Sequence, residues 1–249
     1  MVMYKPINNR VYLFGTCLIN QLYPDVGLAV INLLQQAGLK VIFPENQSCC
    51  GQPAYNSGFR KEALKVAKTQ LKCFTRNYPI IVPSASCAGM LKHHWPELFK
   101  GDEDEMSANR IAGQVYELCE FLITHINLKP QDRGEPVTVA VHNSCSALRE
   151  MKVAEHLTAL LARLDNVSVV EHKYKTECCG FGGTFSIKQP DISGTMATDK
   201  AQALRQTKAD IVISQDSGCL LNIQGVYAKQ GSGPRCQHIA EFLLDRING

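Results

Sequence analysis

The chain has 249 residues, of which 45% are hydrophobic and 20% charged, enough apolar material for one large domain or two small ones. A net charge of +3 gives no reason to invoke nucleic acid or another polyanion. Eleven cysteines are too few for a disulfide-stapled mini-protein, and a chain this long does not need staples to fold. The opening MVMYKPINNRVYLFG lacks an apolar stretch of leader length, and no run approaches 18 apolar residues. A cytosolic chain with reduced thiols is expected, so the cysteines point to metal or redox chemistry.

In chain order, Val11-Tyr-Leu-Phe-Gly-Thr-Cys17 reads as a buried strand that runs into a cysteine. Val26, Ala29, Val30, Leu33, Leu34 and Ala37 then mark one face of a helix that Gly38 ends. A second strand, Lys40–Phe43, leads to Cys49-Cys50-Gly51, a helix lies near 59–76, and a third strand, Ile80–Val82, ends just before Cys87. Ile111, Val115, Leu118, Cys119, Leu122 and Ile126 predict one closing helix over 109–128. The polar stretch Lys129–Pro136, with two prolines and a glycine, reads as a linker.

The same order then returns. Val137–Val141 leads to Cys145, and Ala154, Leu157, Leu160, Leu161 and Leu164 predict a helix ended by Asn166. Val167–Val170 precedes Cys178-Cys179-Gly180, a helix is expected near 191–208, and Asp210–Ile213 precedes Cys219. His238–Ile247 predicts the last helix. Cysteine spacings agree between the halves: 32 and 37 residues flank the first adjacent pair, and 33 and 40 flank the second. This is the signature of an internal duplication. The expected fold is α/β, two tandem β-α-β-α-β-α units over 1–129 and 130–249, each a small parallel sheet covered by helices. Ligands of such sheets bind beyond the carboxyl ends of the strands, where all eight repeated thiols fall in loops.

Structural zinc sites usually space two close ligands by two to four residues, a pattern absent here. Adjacent thiolates suit a polynuclear iron-sulfur cluster, whose neighbouring irons they can ligate, better than a single ion. A vicinal disulfide is a rival for Cys49-Cys50 and Cys178-Cys179, but it leaves Cys17, Cys87, Cys145 and Cys219 without a role. A further alternative is that the thiols are small buried hydrophobes, the favoured reading for Cys73, Cys119 and Cys236. Gly180, Gly182 and Gly183 would let main-chain N–H groups approach cluster sulfurs, or would simply form a tight turn. His142 could ligate or donate to the cluster, although a satisfied strand-end histidine is the commoner case. His93-His94 reads as a solvated pair and Gly101–Glu105 as a solvated acidic loop or docking patch. The chain has no ferredoxin-type cysteine run, and no Gly-x-Gly-x-x-Gly turn follows the first strand, so electrons would have to pass to another subunit.

The doubled Cys…Cys-Cys-Gly…Cys unit resembles the cysteine-rich domain family shared by a heterodisulfide reductase component, the glycolate oxidase iron-sulfur subunit and lactate utilisation protein A. The runs Cys49–Gly58, Val82–Cys87 and Glu177–Phe185 read like the lactate utilisation branch. The resemblance implies an iron-sulfur subunit of a complex that oxidises L-lactate to pyruvate, with partner subunits of which at least one carries ferredoxin-type clusters. It implies one or two clusters, of the 4Fe-4S type in preference to zinc, held by Cys17, Cys49, Cys50 and Cys87 and by Cys145, Cys178, Cys179 and Cys219. It places the chain in the cytoplasm, where partners could bring it to the inner face of the membrane. Reductase relatives carry a fifth thiol in a Cys-x-x-Cys pair. The matching positions here are Met90 and Asn222, so a four-thiolate cluster is the simpler expectation; the alternative functions are a heterodisulfide-type thiol or disulfide reductase subunit and a zinc-stabilised structural subunit.

Overall fold

The computed structural model describes residues 9–249; residues 1–8, part of the opening in which no leader is recognised, lie outside them. The chain divides into two compact units, Met1–Leu128 and Lys129–Gly249.

In the first unit β1 (Arg10–Leu13) is followed by α1 (Cys17–Leu22), α2 (Pro24–Gln36), β2 (Lys40–Ile42), α3 (Gln52–Asn56), α4 (Arg60–Leu71), β3 (Ile80–Val82) and α5 (Ala85–Gly89). A π-helical turn, Met90–His94, leads to α6 (Trp95–Leu98), α7 (Glu105–Ala112), β4 (Val115–Glu117) and α8 (Leu118–Phe121), which runs on through a π-helical turn at Leu122–Ile126. The second unit has β5 (Val137–Val141), a π-helical turn Ser146–Glu150, α9 (Ala154–Leu161), β6 (Val167–Val170), α10 (Phe185–Lys188), α11 (Pro190–Arg205), β7 (Ile211–Ser214), α12 (Ser217–Gln230), β8 (Arg235–His238) and α13 (Ile239–Asn248).

Each unit is an all-parallel four-stranded sheet flanked by helices, ordered β2-β1-β3-β4 and β6-β5-β7-β8. The α/β fold with an internal duplication is therefore as the sequence predicts, with one strand more per unit. The single helix expected over 109–128 is α7, β4 and α8 instead. Val115 and Leu118 sit at helical spacing, but Val115–Glu117 pairs with Ile80–Val82, and Glu117 caps the helix that follows. Its carboxylate accepts the N–H groups of Cys119 and Glu120, while Glu120 reaches back to the N–H of Glu117. His238 and Glu241 form the same reciprocal cap after β8. Strand β8, like β4, runs directly into its helix, so the apolar pattern alone does not separate the two.

The central strands are buried because helices cover both faces, and they read as near-continuous apolar runs. Ile80, Ile81 and Val82 are all solvent-free, as are Val139, Ala140, Val212 and Ile213. Cores differ in character. The first unit packs Tyr12 against Phe74 at 5.3 Å and Trp95 against Phe99 at 6.2 Å between ring centroids. The second packs Ala140, Ala201, Leu204, Val212 and Ile223 around Cys179 and Cys219.

No described helix is long and apolar enough to cross a membrane. The acidic run is organised by Lys68, whose ammonium lies 2.9 Å from Asp102 and 3.3 Å from Glu103. Such exposed pairs contribute little to stability.

Candidate functional site: two arcs of thiols

In both sheets the strand order reverses between the first and third strands of the unit, β1 and β3 or β5 and β7. That switch point opens a crevice at the carboxyl edge. Cysteines from three successive segments meet there. Cys17 opens α1, Cys49 and Cys50 lie in the loop after β2, and Cys87 is in the first turn of α5. In the second unit Cys145 immediately precedes the turn Ser146–Glu150, Cys178 and Cys179 lie in the loop after β6, and Cys219 is in the first turn of α12. Only the adjacent pairs thus sit in loops; the other thiols stand at helix starts.

The four sulfurs of each set are hydrogen-bonded in series. Cys49 links Cys17 to Cys50, and Cys50 links on to Cys87. Cys178 links Cys145 to Cys179, and Cys179 links on to Cys219. All eleven cysteines are free thiols. Each arc holds one strongly acidic thiol. Hydrogen bonds from Cys17, then Cys50, and from the Gly51 and Cys50 N–H groups lower Cys49 to about 3. Bonds from Cys145, then Cys179, and from Gly180 lower Cys178 to about 2. The neighbours move the other way. Donation to Cys49, then burial, raises Cys17, and donation to Cys178, then burial, raises Cys145. Cys50 and Cys179 are raised by their sulfur partners first and by burial after. The hydrogen bond from Cys179 lowers Cys219, but burial and the charges of Asp216 and Cys178 leave it raised.

Glycine makes the pair possible. Gly51 and Gly180 adopt φ of 91° and 81°, which turns the chain so that their N–H groups point back at Cys49 Sγ (3.4 Å) and Cys178 Sγ (3.3 Å). Gly182 and Gly183 also have positive φ, but they serve a tight turn, closed by Phe185 N–H to Gly182 O and Ser186 N–H to Phe181 O.

Side chains brace the loops, and sequence reading missed most of them. Trp95 Nε1 donates to Cys50 O at 3.0 Å; Asn222 Nδ2 donates to Cys179 O at 2.8 Å. Asn222 and buried Met90 stand three residues after Cys219 and Cys87, and the asparagine amide is spent on this carbonyl. Gln47 Nε2 donates to Leu13 O, and His172 Nε2 lies 2.9 Å from the matching Val141 O. Gln70, fully buried, holds the N–H and hydroxyl of Ser48. In the second unit Lys200, 1% exposed, donates to Tyr174 O and faces Glu177, Cys179, Cys178 and Cys219. Burial pulls that lysine below its ordinary value. Its sequence signal is position: it shares a helical stripe with Ser193, Ala197 and Leu204.

His142 is fully buried, and neither ring nitrogen has a hydrogen-bond partner among the described residues. The satisfied strand-end histidine expected from sequence is therefore not what the fold contains. Burial first, then the positive charges of Lys200 and His172, lower its pKa to about 3. Its ring, Cys179 Sγ and Cys219 Sγ place one ligand atom each within 4.8 Å of one another. The His94 ring lies tilted against Tyr55, 4.8 Å between centroids, and belongs to no such cluster among the described residues. The remaining three cysteines are not among the sulfurs bonded in series. Cys119 is buried in α8, Cys73 follows α4, and Cys236 lies in β8 with burial raising it to about 12.

A family model for the CCG cysteine-rich domain matches residues 11–92 and 139–224. The chain is 39% identical over 241 residues to lactate utilization protein A 2 of Bacillus cereus strain AH820, covering 96% of this chain and 99% of that protein. It is 40% identical over 238 residues to lactate utilization protein A of Geobacillus thermodenitrificans, covering 95% and 99%. Among solved structures, a hypothetical protein from Helicobacter pylori superposes with a TM-score of 0.62 at 11% identity, a likeness of fold alone. That match covers 97% of this chain, which spans about half (49%) of the crystallised one.

Proposed function

We propose, from the premise that this chain belongs to the CCG cysteine-rich domain family, that it is an iron-sulfur subunit of a multi-protein system that oxidises L-lactate to pyruvate. Its full-length relatives named lactate utilization protein A tie it to lactate utilisation. The observation that carries the electron-handling part is the pair of four-thiol arcs at the carboxyl edges of the two sheets.

The donor set fits an iron-sulfur cluster. Four thiols per site is the expected count, and an arc of sulfurs presents ligands to several irons side by side. Cys17, Cys49, Cys50 and Cys87 would hold one cluster; Cys145, Cys178, Cys179 and Cys219 would hold the other. Such a group takes up and releases single electrons. The chain's own residues prepare that edge. Gly51 and Gly180 N–H groups stabilise negative charge on Cys49 and Cys178. Trp95 and Asn222 fix the carbonyls of Cys50 and Cys179, so the loops keep their sulfurs on the crevice side. Burial of Cys50, Cys87, Cys179 and Cys219 keeps water from the inner half of each arc.

Lactate oxidation releases two electrons, and this chain has neither a ferredoxin-type cysteine run nor a dinucleotide fingerprint to pass them on. Partner subunits with ferredoxin-type clusters would complete the route. A reducing cytosol suits eleven free thiols. With Met90 buried and the Asn222 amide committed, four thiols per site serve electron transfer rather than disulfide reduction.

Anaerobic purification followed by iron and acid-labile sulfide analysis and EPR tests the reading. Coloured protein with matched iron and sulfide is expected. Colourless, iron-free protein after anaerobic reconstitution would overturn it.

A further inference from the structure

We infer that His142 is a fifth donor at the second thiol site, which gives that site a mixed imidazole and thiolate ligand set that the first site lacks. The inference rests on the proposed function in one respect, that the thiols hold iron.

His142 and Phe14 occupy the same place in the two units. Each follows the first strand and precedes the first cysteine by three residues, and each N–H donates to the third strand, Phe14 to Ile81 O at 2.9 Å and His142 to Ile213 O at 2.8 Å. Phenylalanine therefore satisfies the packing demand of this position, and a core role alone does not call for imidazole. A buried imidazole with two nitrogens unmet among the described residues carries a desolvation cost that no hydrogen bond offsets. Coordination of a metal by one nitrogen removes that nitrogen's share of the cost. The nitrogen is placed for it, since the ring shares a 4.8 Å cluster with Cys179 Sγ and Cys219 Sγ, the two buried thiols of the arc. Nearby, the Asn222 amide is turned onto Cys179 O and the Lys200 ammonium onto Tyr174 O. Gln215 adds to the contrast. It immediately follows β7 and is buried with neither amide atom paired among the described residues, where the first unit has Pro83 after β3.

Pulsed EPR of the full chain, reconstituted anaerobically with iron and sulfide, tests this without altering the fold. Protein grown on 14N-histidine is compared with protein grown on 15N-histidine, and both with His142→Phe. A directly bound nitrogen gives a strong hyperfine coupling that changes with the isotope and is absent from His142→Phe. A spectrum unchanged by labelling, or a coupling that survives in His142→Phe, overturns the inference. Iron-loaded wild-type protein without nitrogen coupling overturns this inference alone; iron-free wild-type protein overturns the proposed function and this inference together.

Discussion

At the end of the first strand of each unit the backbone makes the same hydrogen bond, yet one unit places Phe14 there and the other His142. The contrast runs along the whole thiol edge. Gln47, Gln70 and Trp95 brace the first loop region with neutral donors, whereas His172, Lys200 and Arg149, which holds Thr176 O at 3.0 Å, crowd the second with basic groups. A duplicated scaffold thus keeps sulfur positions while the field around them diverges. Nearby charge and hydrogen bonds to sulfur are among the levers on cluster potential. The halves are built alike to hold and differently to tune.

The largest expected effect breaks a feature of the second unit. Asp132 and Arg246 form a buried ion pair at 2.6 Å, and the Asp132 carboxylate also accepts the Asn166 N–H. Asp132→Asn leaves a buried guanidinium uncompensated and should cost about 3–5 kcal/mol, read by denaturant unfolding. Burial acts to raise the Asp132 carboxyl, but the N–H donors of Asn166 and Gly134 and the guanidinium hold it below its ordinary value. The stabilisation is therefore complete above the unfolded carboxyl's pKa of about 3.9 and fades as pH falls through the lower native value. Wild type and variant should converge in acid. A gap that does not shrink as the pH falls below the unfolded carboxyl's value would contradict this assignment.

Next come the turn glycines. Both Gly51→Ala and Gly180→Ala incur about 1–2 kcal/mol for a left-handed alanine. At Gly180 the new Cβ would also lie 2.6 Å from Ser193 O, against 3.2 Å from Ala63 O at Gly51. Overpacking adds about 1–3 kcal/mol at the second site, so Gly180→Ala should lower the melting temperature more. Equal shifts would remove the packing difference from the account.

Smaller changes follow from the carbonyl braces. Trp95→Phe and Asn222→Ala each leave a buried cysteine carbonyl unpaired, at about 1–3 kcal/mol, and the two losses should be similar. Thermal unfolding of each variant checks it. Lys68→Ala, which removes the cation of an exposed acidic cluster, should leave the melting temperature unchanged within error.

Much of this was legible in the residues. Continuous apolar runs such as Ile80–Val82 mark buried parallel strands, and the repeated cysteine spacing fixes which strand ends meet. Strand β4 was not legible, because three residues are too few to show a period and Val115, Leu118 and Leu122 mimic a helical stripe. Nor was the partnership between Trp95 and Cys50, which joins residues 45 positions apart through one side-chain bond. The isolation of His142 depends on the surroundings that tertiary packing creates. Position alone could have raised Lys200, a charge on an otherwise small, buried helical stripe.

Iron and labile-sulfide content of two double variants, Cys49→Ala/Cys50→Ala and Cys178→Ala/Cys179→Ala, tests the central claim most directly. If each unit carries its own four-thiol site, each variant retains iron and sulfide in the intact half and loses the signal of the altered one. If either variant binds as much as the wild type, the altered thiols hold no cluster; if either binds none, the two sites are not independent, and the account fails.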